Sequence, residues 1–451
     1  MPTTFINLFD IIGPIMIGPS SSHTAGAAKI GFEAYKLLKE EPIKIRIKLY
    51  NSFSDTGKGH KTDLALLGGC LGIQPQDEKL IQAEEIAQNK DIDYKIKWGY
   101  HSPDLHPNTA IINLTGKEKE AGLVGYSIGG GRIQIAKKYV RTKDSKKEKD
   151  LEKPTQKSYG KSKENYFTFE EIKANVNTGR QLLNLALVAQ SETGGQDKEE
   201  ILNEFEKRWQ IMVRSIQKGI SSRQRAEDNM YGGDSYRIRR SKLNVLSQVI
   251  ENGVFYAIGV AEHNAKMGKI VAAPTAGSAG VMPGVLRAMQ EKFNYSDRQM
   301  AEALTVAAAV GAVIANKVEL AGAVAGCQAE IGAGGTMTAA AGVYLLNGNI
   351  DAIEAAASLV LANMLGLTCD PVMGRVEVPC ILRNGTTVGL TFTAIEMALD
   401  NVRYSIPFDE VVDVMKKVGE DMHAAYKETS QGGLAKTETA RLLCQNCPGC
   451  G

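Results

Sequence analysis

Residues 304–315 read LTVAAAVGAVIA, the most apolar run in the chain, and what such a run packs against decides the kind of fold. A helix that crosses a bilayer needs about 18 or more predominantly apolar residues. This run is closed by Asn316, Lys317 and Glu319, so it predicts a core helix of a globular unit rather than a span. The surrounding sequence agrees. From about residue 228 onward Ala, Gly and Met dominate, with few β-branched alternations, as in helices surrounded by other helices. Upstream, residues 168–192 (TFEEIKANVNTGRQLLNLALVAQSE) carry an i, i+3, i+4 apolar stripe and open on Thr168 as an N-cap.

The first 140 residues have a different period. In IKIRIKLY (43–50) apolar and basic positions alternate, which puts Ile43, Ile45, Ile47 and Leu49 on one face of a half-buried strand. IDYKIKWG (92–99) repeats the pattern, and AIINL (110–114) and GLVGYSIGGG (122–131) are further strand candidates. Helical runs lie at 26–40 and 78–88, so the expected unit is a sheet covered by helices on one side. Between the two regimes, residues 141–165 (RTKDSKKEKDLEKPTQKSYGKSKEN) have almost nothing to bury. The predicted organisation is an α+β domain over 1–140 (a mixed sheet with helices), a charged linker over 141–165 and a mostly α-helical domain over 166–451.

With 451 residues and a formal charge of +2, the chain has no field that would draw nucleic acid or an anionic membrane. The lysine-rich tract has no interleaved aromatics beyond Tyr159 and carries no such function on its own. No basic segment followed by an apolar one opens the chain, which leads to the expectation of a cytoplasmic protein without membrane or nucleic-acid partners. Seven cysteines, an odd number, argue against a disulfide framework and toward metal, cluster or redox use. Apolar helices in quantity make a homodimer the expected assembly.

Two groups of residues invite chemistry. GPSSSHTAG (18–26) packs three serines, a histidine and a threonine into a helix start. It is either an over-supplied N-cap or a seat for a small anion such as a carboxylate. The second group is Cys327, Cys369 and Cys380, separated by 42 and 11 positions. No pair has C-x₂-C spacing, yet each sits beside Gly, Pro or a turn, where a thiolate can be aimed at a common point. Buried structural cysteine is the alternative.

Longer motifs narrow the choice. APTAGSAGVMPGVL (273–286), GCQAEIGAGGTMTAAAGVY (326–344), MLGLTCDPVMGRVEVPCILRN (364–384) and ETSQGGLAKT (428–437) resemble the catalytic domain of bacterial iron–sulfur L-serine dehydratases. FDIIGPIMIGPSSSHTAGA (9–27) and TGKGHKTDLALLGG (56–69) resemble that family's β domain, in the β-then-α order of its single-chain members. The resemblance implies L-serine as substrate, pyruvate and ammonia as products, and a [4Fe–4S] cluster on Cys327, Cys369 and Cys380. One iron would stay open as a Lewis acid for the substrate hydroxyl.

For the base that takes the Cα proton, His60 is favoured, with His23 orienting substrate or relaying the proton, although the reverse assignment is open. Lys58 is placed on the substrate carboxylate, and Ser20, Ser21, Ser22 and Thr24 as a donor cradle. Thr275, Gly277 and Ser278 would form a second lining together with Gly334, Gly335 and Thr336, the last three equally consistent with close packing. His106 is a weaker candidate, and His101, His263 and His423 are taken as structural. The tail CQNCPGCG (444–451) holds Cys444, Cys447 and Cys450. The resemblance makes Cys450 the candidate to occupy the open iron until substrate displaces it, with an independent metal site or a redox-sensitive tail as alternatives. Rival assignments are a pyridoxal-phosphate dehydratase, which needs a Schiff-base lysine, and a non-catalytic amino-acid or redox sensor. Exclusion of L-threonine depends on pocket volume.

Overall fold

The computed structural model describes residues 6–142, 149–150, 168–223, 230–243 and 245–445. Its strands are β1 (Ile15–Ile17), β2 (Lys44–Tyr50), β3 (Asp93–Tyr100), β4 (Thr109–Thr115), β5 (Lys119–Ser127), β6 (Ile133–Thr142), β7 (Lys149–Asp150) and β8 (Lys269–Val271). Six of them form one sheet in the order β3-β2-β4-β5-β6-β7. Only β2 and β3 run parallel, and the other neighbours are antiparallel. The alternation in β2 works as its period demands: Ile45, Ile47 and Leu49 are buried, while Ile43, just outside the strand, stays exposed. The helices Ala27–Leu38 and Thr62–Cys70 lie on that face. The opposite face is polar, with Tyr139 donating to Asn113 Oδ1 across the strands at 2.7 Å.

Two glycines set how close the covering helices come. A Cβ on Gly69 would stand 2.1 Å from Ala28 O, and one on Gly31 would stand 2.4 Å from Leu66 O. The helices therefore cross backbone to backbone, and larger side chains would force them off the sheet.

The remaining chain is a helical body. Asp297–Lys317 and Ile331–Leu345 pack together in its centre. Around them stand Lys198–Ser221, Gln248–Ala265, Val281–Phe293, Ile350–Asn363 and Leu382–Leu399. The apolar run of residues 304–315 lies inside a helix of 21 residues that, by length and composition alone, could cross a membrane. It is longer than the run suggests because Met300, Ala301 and Ala303 extend the apolar face. Within the protein 72% of its most apolar window is buried, as expected of a core helix.

Three differences from the sequence-based expectation have local causes. The stretch 168–192 forms two helices, Phe169–Asn175 and Gly179–Gly194, because Thr178 makes a second complete capping box with Gln181. The sheet continues through Arg141 and Thr142, and β7 pairs with β6 inside the charged tract; most of that tract lies outside the described residues. The start of the chain packs with the other half: Leu8, Ile11 and Ile12 sit in the helical core, and β1 pairs with β8.

The close crossing predicts opposite effects for two glycine substitutions. Gly69→Ala drives Cβ into backbone and should cost about 3 kcal/mol or more. Gly389→Ala, in a helix with nothing within 4 Å of the new methyl, should gain about 0.5–1 kcal/mol from helix propensity. Urea denaturation of both variants checks the pair, and equal midpoints would contradict the packing.

A pH effect follows from His263. Its ring lies against Gly268, where a Cβ would be 2.4 Å away, and Nε2 is buried without a partner. Burial first, then Lys218 and Lys266, lower its pKa to about 4. The unfolded chain, with an imidazole near 6.5, therefore takes up the proton first. Stability is intact above that value and is lost as pH falls toward 4, by at most about 1.4 kcal/mol per pH unit and less with partial exposure. Denaturation of wild type and His263→Gln at pH 7, 6 and 5 should show a flatter acid limb in the variant; superimposable limbs exclude this contribution.

Candidate active site

The seam between the sheet unit and the helical body is where the singled-out motifs meet. The chain leaving β1 passes through Pro19 and Ser20 into a π-helical turn, Ser21–Gly26. The chain leaving β8 passes through 272–278, and Asn264 ties the two together by donating to Pro19 O at 3.0 Å and Ala276 O at 3.1 Å. A narrow cavity lies between them, lined by Pro19, Ser20, His60, Gly277, Glu330, Cys369, Pro371, Val376, Cys380 and Glu428.

On one wall the serine motif organises itself around His23, which is fully buried. Ser20 Oγ caps the turn by accepting from His23 N at 3.0 Å. Ser22 Oγ lies 3.0 Å from His23 Nδ1. Thr24 Oγ1 donates to His60 O at 2.7 Å, so its work is to fasten the two histidine motifs together. Both motif histidines can be assigned tautomers by exhausting the donors around them. Thr56 Oγ1 and Ser52 Oγ spend their protons on Ser52 O (3.0 Å) and Glu428 O (3.2 Å). Each then accepts from His23 Nε2–H, at 3.1 and 3.0 Å. His60 Nδ1 faces only the carbonyl of Thr56 at 3.0 Å, so it carries the hydrogen. The remaining ring nitrogens, His23 Nδ1, which accepts from Ser22 Oγ, and His60 Nε2, both face Glu428 Oε1, at 3.5 and 3.7 Å.

Close as they are, these groups do not form ion pairs. Burial holds both imidazoles well below their ordinary pKa, His60 at about 4, with the neighbouring ring of His60 adding to the effect on His23. Burial also pushes Glu428 up, reinforced by Glu330 and Cys327. Burial thus favours the neutral form of each member of the cluster, and His60 lines the cavity.

Across the cavity, Cys327, Cys369 and Cys380 form one contact cluster of free thiols. Their segments are placed by backbone and buried polar contacts. Cys369 N donates to Tyr426 O and Glu428 N to Cys369 O, both at 2.8 Å, which sets Glu428 beside the thiols. Asn384 Nδ2 reaches Gly277 O and Cys380 O, both at 2.8 Å, while its Oδ1 accepts from Gly280 N at 2.9 Å. Arg383 is anchored on Thr368 O at 2.7 Å and on Asp370 at 3.3 Å.

The thiols share a proton-poor network. Hydrogen bonds from Cys369 and Cys380, helped by Arg383, hold Cys327 well below the thiol range, and Cys369 and Cys380 are pushed up in return. Glu330 Oε2 lies 4.0 Å from both Cys327 and Cys369 Sγ; burial, then the Cys327 charge, raise its pKa to about 8. Structural cysteines would be packed among aliphatic groups. Among the described residues these three pack against the apolar Leu367 and Val376 and lie beside Arg383, Glu330 and Glu428, so the donor set fits a thiolate-bound metal group.

Of the other sequence candidates, Ser20 and Gly277 line the cavity and Thr275 bonds Glu330 from just behind it. Ser21 is buried in the turn. Ser278 donates to Ala273 O at 3.0 Å and is part of the turn's own scaffold. Gly334, Gly335 and Thr336 lie within the helix Ile331–Leu345, where a Cβ on either glycine would press on Ser278 or on Thr387 and Val360. That is helix packing. Lys58 is exposed and is not among the lining residues. His106 stands 3.6 Å from Glu319, away from the thiols. Cys444 lies in the last turn of the helix Glu438–Gln445, and Cys447 and Cys450 lie outside the described residues. Sequence reasoning missed Glu330, Glu428, Ser52, Thr56 and Asn384. Acidic residues inside apolar, Gly-rich motifs were the available signal for the first two.

A family model for the serine dehydratase β chain matches residues 6–138, and one for the α chain matches residues 132–435. L-serine dehydratase 1 of Escherichia coli is 32% identical over 470 aligned residues, covering 95% of this chain and 98% of that protein. The L-serine dehydratase of Helicobacter pylori is 30% identical over 94% of this chain and 97% of its own. A probable L-serine dehydratase α chain of Bacillus subtilis is 41% identical over 58% of this chain and 88% of its own.

Asn384 predicts a test of the site's scaffold. Asn384→Leu keeps the volume but strands three buried backbone groups, at about 1–3 kcal/mol each before relaxation. The variant should unfold at clearly lower urea, and Cys380 should react faster with a thiol reagent in native protein. Unchanged Cys380 reactivity would mean that Asn384 does not hold that loop.

Proposed function

Because the chain belongs to the serine dehydratase family, we propose that it converts L-serine to pyruvate and ammonia in the cavity between Ser20, His60 and the three thiols. The observation that carries this reading is the meeting, in one buried cavity, of the His60 imidazole from the sheet unit with Cys369 and Cys380 of the helical body, Cys327 clustering with both. A [4Fe–4S] cluster is the group the thiols would hold, and when bound it supplies a Lewis acid for the departing β-hydroxyl.

The chain's own residues account for the rest. Ser20 and Ser22 offer hydroxyls, with the amide-rich start of the π turn behind them, to the substrate carboxylate. His60 Nε2 takes the Cα proton. Its neutral form at pH 7 is what a base needs, and the Thr56 carbonyl on Nδ1 stabilises the imidazolium that forms. His23 is covered and held by Ser52 and Thr56, which suits orientation of Glu428 and His60 rather than direct attack. As the Cα–H electrons form the new double bond, the Cβ–O bond breaks and hydroxide leaves, to be protonated to water. The aminoacrylate released tautomerises to the imine and hydrolyses to pyruvate and ammonia. The dry seam protects the base from bulk water until that point. A Schiff-base route needs a lysine, and among the described residues no lysine lines the cavity.

The test is anaerobic preparation of wild type, Cys327→Ala, Cys369→Ala, Cys380→Ala and His60→Asn. Iron, acid-labile sulfide and pyruvate release from L-serine are measured in each. Each cysteine variant should lose iron and activity together. His60→Asn should keep iron and sulfide while kcat falls by about 10²–10⁴. Full activity in His60→Asn, or iron content unaffected by all three cysteine changes, would falsify the assignment.

A further inference from the structure

The pair of histidines and Glu428 have a second property, independent of the thiols. His23 Nδ1, His60 Nε2 and a Glu428 carboxylate oxygen lie within 4.8 Å of one another, and all three residues are buried. The two nitrogens stand 3.5 and 3.7 Å from Glu428 Oε1. A tetrahedral ion with bonds of about 2.1 Å has donor-to-donor edges of about 3.4 Å, so the two nitrogen-to-oxygen edges are within tenths of an ångström of a coordination shell, and the nitrogen-to-nitrogen edge lies within 4.8 Å. The outer ring nitrogens are already tied down, His23 Nε2 by Ser52 and Thr56 and His60 Nδ1 by the Thr56 carbonyl. Such outer contacts orient imidazoles whose inner nitrogen binds a metal. Glu428 Oε2 is buried with no hydrogen-bond partner. Among the described residues no lysine or arginine lines the cavity, and Glu330 is the other acid facing it.

We propose that His23, His60 and Glu428 form a single-ion site for a divalent cation of the zinc class, with its fourth position open to the cavity. Two imidazoles and one carboxylate are a donor set that suits zinc. On binding, the ion takes the two nitrogen lone pairs and a carboxylate oxygen, and the Glu428 proton leaves to solvent. Ser22 Oγ, now 3.0 Å from His23 Nδ1, turns its hydrogen to Ser20 Oγ at 3.2 Å. Occupation removes the lone pair that the proposed elimination uses, so the ion is a reversible inhibitor competing with L-serine. That consequence rests on the proposed function; the binding does not.

The experiment uses the full chain with Cys444, Cys447 and Cys450 all changed to Ser, so that the tail offers no soft ligands, prepared anaerobically with its iron and sulfide. Zinc chloride is added, excess is removed by gel filtration, and bound zinc is counted and examined by X-ray absorption. We expect one zinc per chain in a shell of nitrogen and oxygen only. His23→Gln and Glu428→Gln should each weaken retention at least tenfold while keeping the iron content of the parent. The thermal midpoint should rise with zinc in the parent and not in the variants. Sulfur in the shell, no retained zinc, or retention unchanged in Glu428→Gln overturns the site. If a variant loses iron, the parent's shell decides. If the parent binds zinc through nitrogen and oxygen but lacks lyase activity, the site stands and the functional reading fails.

Discussion

Three residues of antiparallel pairing, Ile15–Ile17 against Lys269–Val271, hold the serine motif and the cysteine-bearing body in a fixed relation. Strand pairing specifies register in steps of one residue, and a slip of one would turn every side chain to the other face. Each strand runs straight into the cavity, one through Pro19 and Ser20 and the other through 272–278. The ladder therefore acts as the alignment device for groups more than 250 positions apart in sequence, and Asn264 adds a polar clamp across the same two segments.

Burial then does the chemical work. In water the two histidines, two glutamates and three thiols would each carry their ordinary charge. In the seam, desolvation disfavours the charged forms of both imidazoles and both carboxyls, while hydrogen bonds from Cys369 and Cys380 favour the thiolate of Cys327 against its own burial. The hydroxyls of Ser52 and Thr56 matter because they consume the donors that would otherwise blunt the imidazoles. What faces the cavity is a set of lone pairs, suited equally to a proton or to a cation.

Much of this was legible in the residues. The period of two in β2 and β3, the cap at Thr168 and the meeting of the cysteine motifs all follow from local pattern or from long motifs. What was not legible is long-range. Thr178 breaks a stripe whose periodicity runs through it. Leu8–Ile11 joins the distant body because its partners on Asp297–Lys317 exist only after folding. Thr24 looked like one more donor for a ligand but spends its hydroxyl on His60 O, and "GAGGT" looked like a cradle but serves helix packing. Composition shows that a residue can donate a hydrogen bond. It does not show which atom the fold will bring within 3 Å.

The path of the backbone has a topological result. Leu8, Ile11 and Ile12 are embedded in the helical core and β1 pairs with β8; the chain then builds the whole six-stranded sheet, and afterwards it returns to complete the body it started in. The sheet unit thus stands between two parts of the chain that both contribute to the helical core. The crossing out of the body at 18–20 is pinned from both sides, by the β1–β8 ladder before it and by Asn264 on Pro19 O.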